Sequence, residues 1–154
     1  MSGWQLAEVN VARLREPLDS PVMSGFVKAI ADVNWLAEKS PGFVWRLRPE
    51  DGAPLVYGDI DGTKVVVTLS VWEDFASLQR FVYRTAHGLF MQRRGRWFEP
   101  IGGFTTALWW VPAGEVPAVA EGLSRIRHLR ARGPSAHAFS LRLHFDPEGA
   151  RIRV

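Results

Sequence analysis

Residues 4–12, WQLAEVNVA, alternate between two faces. Gln5, Ala7, Val9 and Val11 share one face and Leu6, Glu8, Asn10 and Ala12 the other, which is the period of a β-strand. Pro17, Asp19 and Ser20 break the pattern. Ser20-Pro21 then reads as a helix start, with a hydroxyl at the N-cap and a proline in the first turn. Met23, Phe26, Val27, Ile30, Val33 and Ala37 follow at spacings of three and four, predicting an amphipathic helix that stops before Pro41-Gly42. A second strand is expected over 43–48, with Phe43, Trp45 and Leu47 on one face and Val44, Arg46 and Arg48 on the other. Turns at Asp51-Gly52 and Asp61-Gly62 flank the short run Leu55-Val56-Tyr57. A third strand, KVVVTLSVW at 64–72, is apolar on both faces. A second helix is predicted from about 74 to 92, its core stripe being Phe75, Leu78, Val82, Ala86 and Leu89. Residues 95–103 read as irregular, 104–111 (FTTALWWV) as a fourth strand, Pro117 to about 132 as a third helix ended by Gly133-Pro134, and 139–145 (FSLRLHF) as a last strand.

The order is β-α-β-β-α-β followed by α-β. The first six elements match the ferredoxin-like split arrangement, so the fold class expected is α+β with an added C-terminal helix and strand. Helices in such a domain cover one face of the sheet. Val65, Val67, Leu69 and Val71 oppose Val66, and Thr106, Leu108 and Trp110 oppose Ala107, Trp109 and Val111, so both faces are apolar and need cover. A partner subunit's sheet is the first candidate, which predicts a homodimer. The alternative is that the last helix and strand fold over the free face.

Composition narrows the class. A chain of 154 residues with an apolar fraction of 47% suits one folded domain, 1–154. The absence of Cys removes disulfides, thiolate metal sites and thiol nucleophiles. No run of ~18 apolar residues is present, and the N-terminus alternates like a strand without a basic leader, so a cytoplasmic protein is expected, with no membrane partner. The net charge is only +3, and 16 of the 19 cations are Arg, the other three being Lys. Arg93, Arg94 and Arg96, and Arg125, Arg127, Arg130 and Arg132, lack the concentrated footprint with interleaved aromatics of a nucleic-acid binder. His128, His137 and His144 have no metal-ligand spacing with carboxylates. No phosphate-cradling Gly loop, Ser-His-Asp order or paired-carboxylate motif occurs.

The segments LAEVNVARL, SPGFVWRL, VVTLSVWEDFASLQRFVYRTAH and WWVPAG resemble a bacterial family known only as domain-of-unknown-function family 3291, over about residues 5–132. That family looks like a member of the dimeric α/β-barrel superfamily, in which haem-degrading and cofactor-free antibiotic-biosynthesis monooxygenases, isomerases and chlorite-dismutase-like haem proteins share one fold. The resemblance implies a dimer and a cavity between sheet and helices, but no single reaction. The haem-degrading members carry an Asn on the first strand, a Trp on the second helix and a His near that helix's end. Asn10 and His87 correspond, whereas Phe81 stands roughly where the Trp would be. The resemblance thus admits haem ligation by His87 without implying ring-opening chemistry.

His87 lies four residues after Tyr83, on a face of the second helix turned away from its core stripe. Its imidazole suits an axial ligand or a general base, so it is the first catalytic and cofactor-binding candidate. Tyr83 would orient His87 or bond a ligand oxygen, and Arg84 would hold a carboxylate. Asn10 and Glu8 are polar on a strand with apolar neighbours and must meet a ligand or a loop; Asn10 is taken as the catalytic candidate and Glu8 ranks below it. Seven Trp in this length suggest a cavity for an aromatic ligand, lined by Trp45, Trp72, Trp97 and Trp110, with Trp109 also considered. Arg46 is expected to pair with Glu8 or with an acidic ligand.

Together these features predict a small-molecule enzyme with oxygenase-like redox chemistry on an apolar conjugated substrate, cofactor-free or haem-dependent, in a biosynthetic setting. The alternatives are a non-catalytic ligand- or haem-binding dimer and an isomerase or cyclase.

Overall fold

The computed structural model describes residues 3–86 and 95–153. Its first strand, β1 (Trp4–Leu14), leads through a single turn of 3-10 helix (Pro21–Met23) into α1 (Ser24–Lys39). Strands β2 (Phe43–Arg46), β3 (Tyr57–Ile60) and β4 (Thr63–Trp72) precede α2 (Phe75–Ala86). Then come β5 (Phe98–Glu99), β6 (Thr106–Pro112), α3 (Val119–Arg132), β7 (His144–Phe145) and β8 (Arg151–Ile152). The fold is α+β and ferredoxin-like. β1 is central, antiparallel to β4 on one side and to β6 and β5 on the other. β2 and β3 both pair with β4, along different halves of its length. They are two halves of one edge strand, interrupted by residues 47–56.

Local chemistry explains the breaks. Pro21 opens the 3-10 turn, although the Ser20 hydroxyl makes no cap bond. α1 ends where Ser40 Oγ donates back to the Leu36 carbonyl at 2.7 Å. Gly42 then turns the chain with φ of 85°, and a Cβ there would collide with the Ser77 side chain, so no side chain fits. Asp74 caps α2, its Oδ1 accepting from the Ser77 amide at 2.8 Å.

The pleat sorts side chains onto two faces with different covers. Leu6, Trp72, Leu108 and Trp110 share the face covered by α1 and α2. Ala7, Val9, Val11, Val67, Leu69, Val71 and Trp109 share the opposite face, where Leu123, Ile126 and Leu129 of α3 pack on them. The cover that the sequence pattern assigns first to a partner's sheet is therefore supplied by the chain's own third helix. A dimer no longer follows from the apolarity of that face.

Other expectations need smaller corrections. A register shift between Phe43 and Trp45 puts these two residues on opposite faces, where plain alternation puts them together. The stretch expected to be irregular contains β5, paired with Arg13 and Leu14. The predicted last strand survives as a bridge between Phe139 and Leu108 and as β7, paired only with β8. No helix among the described residues is long and apolar enough to cross a membrane.

α3 sits close on the sheet because it carries Gly122 at the contact: a Cβ there would lie 2.9 Å from Val9 Cγ2. Gly→Ala in an open helix gains up to about 1 kcal/mol. Here Gly122→Ala is expected to cost about 1–3 kcal/mol instead, by levering α3 off β1. Urea unfolding of the full chain measures this, and a gain in stability would contradict the close packing of α3.

Candidate functional site

The α1/α2 face is filled at its two ends and open between them. At one end Leu6, Trp72, Leu78, Leu108 and Phe139 form a buried cluster. At the other, Met23, Phe26 and Trp97 form a second. Between the clusters lies a cavity of about 570 Å³. Its floor is the sheet, its roof α1 and α2, and its sides residues 47–56 and 98–106. Phe26, Ile30, Val33, Phe81 and Val82 make the roof apolar.

The floor is polar, and strand register arranges it in two rows. Glu8 of β1 lies opposite Ser70 of β4, and Ser70 opposite Arg46 of β2. One step along, Asn10 lies between Thr68 and Thr106. All six border the cavity. Thr106 Oγ1 donates to Asn10 Oδ1 at 2.9 Å, which leaves the Asn10 amide hydrogens for another acceptor. Trp72 Nε1 donates to Ser70 Oγ at 3.0 Å, so the Ser70 hydroxyl hydrogen is likewise uncommitted. Trp72 is held by stacking on Phe81, with ring centroids 4.9 Å apart, and by the edge of Phe43.

Glu8 is the chemically unusual member. Its Oε2 is buried without a hydrogen-bond partner. The pairing with Arg46 does not form, because Arg46 lies two strands away and is approached from the helix layer by Glu38, with Nε–Oε2 at 3.7 Å. Burial without a compensating cation pushes the Glu8 carboxyl up to about 7. A carboxyl half ionised near neutrality, next to an apolar cavity, is suited to take and return a proton. Arg46 is shifted too: burial first, then Arg48, lowers its pKa, against the opposing pull of Glu38.

The expected site residues divide sharply. Asn10, Arg46 and Trp72 border the cavity, and His87 lies outside the described residues. Tyr83, 67% exposed, and Arg84 sit on the outer side of α2 beside a surface depression with Ser40, Ser77 and Arg80. The cavity side of that helix is Phe81, Val82 and Thr85, so 83 and 84 are turned away. Trp45 packs on the α3 face, moved there by the β2 register shift. Trp97 is buried against Phe26, their centroids 5.7 Å apart. Trp110 donates from Nε1 to the Phe145 carbonyl at 2.8 Å, at the far end from the cavity. Trp109 lies on the α3 face under the Arg125 guanidinium. Of these Trp, only Trp72 lines the cavity. Glu8, ranked low from sequence, is the central polar group; its signal was a charged residue at the middle of a strand flanked by Ala7 and Val9.

The cavity's described lining offers no imidazole, thioether or phenol to hold an iron, so the described residues do not fit a haem there. No group of three or more His, Asp or Glu able to hold a metal occurs among the described residues.

The raised Glu8 pKa has a stability consequence. The folded state holds this proton more tightly than the unfolded chain, so stability falls as pH rises from about 4.5 to about 7, and the loss is complete above that. The cost of ionised Glu8 is at most about 3 kcal/mol, reduced by water in the cavity. Glu8→Gln is therefore expected to be more stable than the parent at about pH 8 and equal to it at about pH 4. Denaturant titrations at the two pH values check this; a pH-independent difference would mean that Glu8 is not desolvated.

Comparison with curated proteins finds no match. Among solved structures, a protein of unknown function from Nitrosomonas europaea, NE2512, is similar at 14% identity, with 75% of this chain and 97% of that chain covered and a TM-score of 0.45. SnoaB, a cofactor-independent oxygenase from Streptomyces nogalater, is similar at 16% identity over 73% of this chain and 95% of that chain, with a TM-score of 0.40. At this distance neither likeness transfers chemistry. The sequence match is more extensive: with residues 5–153 matched by its model, the chain belongs to the family described as Domain of unknown function (DUF3291).

Proposed function

We propose that the cavity between the sheet and helices α1 and α2 is the active site of a small-molecule enzyme, and that Glu8 is its general base. The observation that carries this is a buried carboxyl, without a hydrogen-bond partner on Oε2, on the polar floor of a cavity of about 570 Å³ beneath a largely apolar roof. A purely structural carboxylate would be expected to have a cation or several donors, because leaving it unpaired costs stability.

The reaction favoured is cofactor-free and oxygenase-like. Ionised Glu8 takes a proton from the acidic C–H beside the carbonyl of a conjugated ketone. The electron pair delocalises onto the substrate oxygen, where the Ser70 hydroxyl and Asn10 amide donate hydrogen bonds. The apolar roof keeps water from the carbanion. The carbanion passes an electron to dioxygen, and the two radicals combine as a peroxide anion that takes the proton back from Glu8; the hydroperoxide then loses water, with the second hydrogen of that carbon, to leave a new carbonyl. Return of the proton to another carbon, without dioxygen, would make the same site an isomerase.

β-Tetralone, an enolisable two-ring ketone, tests the first step. In deuterium oxide the full chain should exchange the acidic hydrogen faster than buffer, with a rate that rises with pH through an apparent pKa of about 7. Glu8→Gln should lose roughly two to four orders of magnitude. Dioxygen uptake measured in parallel separates oxygenase from isomerase. Exchange at the buffer rate, or equal exchange by Glu8→Gln, would remove Glu8 as the base.

A further inference from the structure

The charges around the cavity do not balance. Arg46 is largely buried, its side chain 16% exposed, yet it borders the cavity. Of its five N–H donors, only one makes a described hydrogen bond, from Nη1 to the Leu47 carbonyl at 3.3 Å; Nε is buried without a hydrogen bond, its ion-pair partner Glu38 standing beyond hydrogen-bond reach. Its nearest carboxylate, Glu38, is shared. Arg48 Nη2 holds the same Oε2 at 2.5 Å, whereas Arg46 Nε stands at 3.7 Å. Two guanidiniums on one carboxylate leave a positive charge on this wall. The other carboxylates bordering the cavity do not cancel it. Glu99 is bound to Arg13 at 3.2 Å, and Glu8 forms no ion pair with any of the described residues. A buried cation with unmet donors is costly unless something binds there.

We infer that Arg46 is an anion receptor for the substrate, and that the cavity takes an apolar aromatic acid whose carboxylate sits on Arg46. Planar, bidentate recognition suits a guanidinium. Register sets the rest of the pose. Arg46, Ser70 and Glu8 follow one another across three adjacent strands, so the outer two are about 10 Å apart at Cα. A carboxylate on Arg46 lays the ring over Ser70 and Trp72 and brings its far edge towards Glu8. Glu38, on α1, competes with the ligand from behind the guanidinium. This inference rests on the cavity being the substrate site, but not on Glu8 acting as a base.

The test is calorimetric, with the full chain and two probes of equal shape, β-naphthoate and its neutral amide β-naphthamide. The wild-type protein should bind the carboxylate at least tenfold more tightly. Arg46→Gln should bring that ratio near one while leaving the amide's affinity unchanged. Glu38→Gln, a change on a partly exposed helix residue, should raise carboxylate affinity several-fold and leave the amide alone, which keeps the idea testable if Arg46→Gln does not fold. Glu8→Gln should preserve or increase the carboxylate preference. Equal affinity for the two probes, no binding of either, or an unchanged preference in the folded Arg46 variant would overturn the assignment. A preserved preference with no Glu8-dependent hydrogen exchange would sink only the base, and the converse only the anion receptor.

Discussion

The alternation of β1 is the constraint on which the rest depends. As the central strand, paired on both sides, it cannot slip by one residue without exchanging everything on its two faces. Ala7, Val9 and Val11 make one face dry, and that face accepts α3 so closely that only glycine fits at position 122. Leu6, Glu8, Asn10 and Ala12 make the other face amphiphilic. α1 and α2 pack firmly on its two ends and leave the polar middle as the floor of a cavity.

The polar floor opposes stability, and the opposition is local. Glu8 gives up hydration without gaining a cation among the described residues, and Arg46 gives up hydration for a hydrogen bond to the Leu47 carbonyl and a long, shared contact with Glu38. Exchanging them for apolar residues would be expected to stabilise the sheet. Their combination with uncommitted donors on Ser70 and Asn10 has the form of a preorganised site, in which groups are held ready for charge that the folded protein itself does not supply. The dry α3 face carries the stability that lets the opposite face keep such groups.

The interrupted edge strand adds to this division. β2 and β3 pair with the two halves of β4, and the excursion between them closes one side of the cavity. The register shift that precedes it turns Trp45 to the α3 face and keeps Arg46 over the cavity. One bulge thus decides which of two adjacent residues packs against α3 and which faces the cavity.

Periodicity determined the element order, the ferredoxin-like class and the two-sided apolarity of the sheet, because these depend on spacing within short segments, while the family came from the resemblance of particular segments. It also placed Asn10 and Glu8 on one face, since alternation in β1 is regular. What covers each face was decided only by the tertiary structure: the same apolar stripe fits a second sheet or the chain's own α3, and nothing local separates the two. Aromatic content was misleading for the same reason. Trp45, Trp97, Trp109 and Trp110 have the composition of a cavity lining but pack elsewhere: a bulge turns Trp45 to the α3 face, Trp97 packs on Phe26, Trp109 lies under Arg125, and Trp110 bonds the Phe145 carbonyl. The rank of Glu8 above Asn10 came last, since burial without a partner is a property of everything around a side chain, and no stretch of sequence contains it.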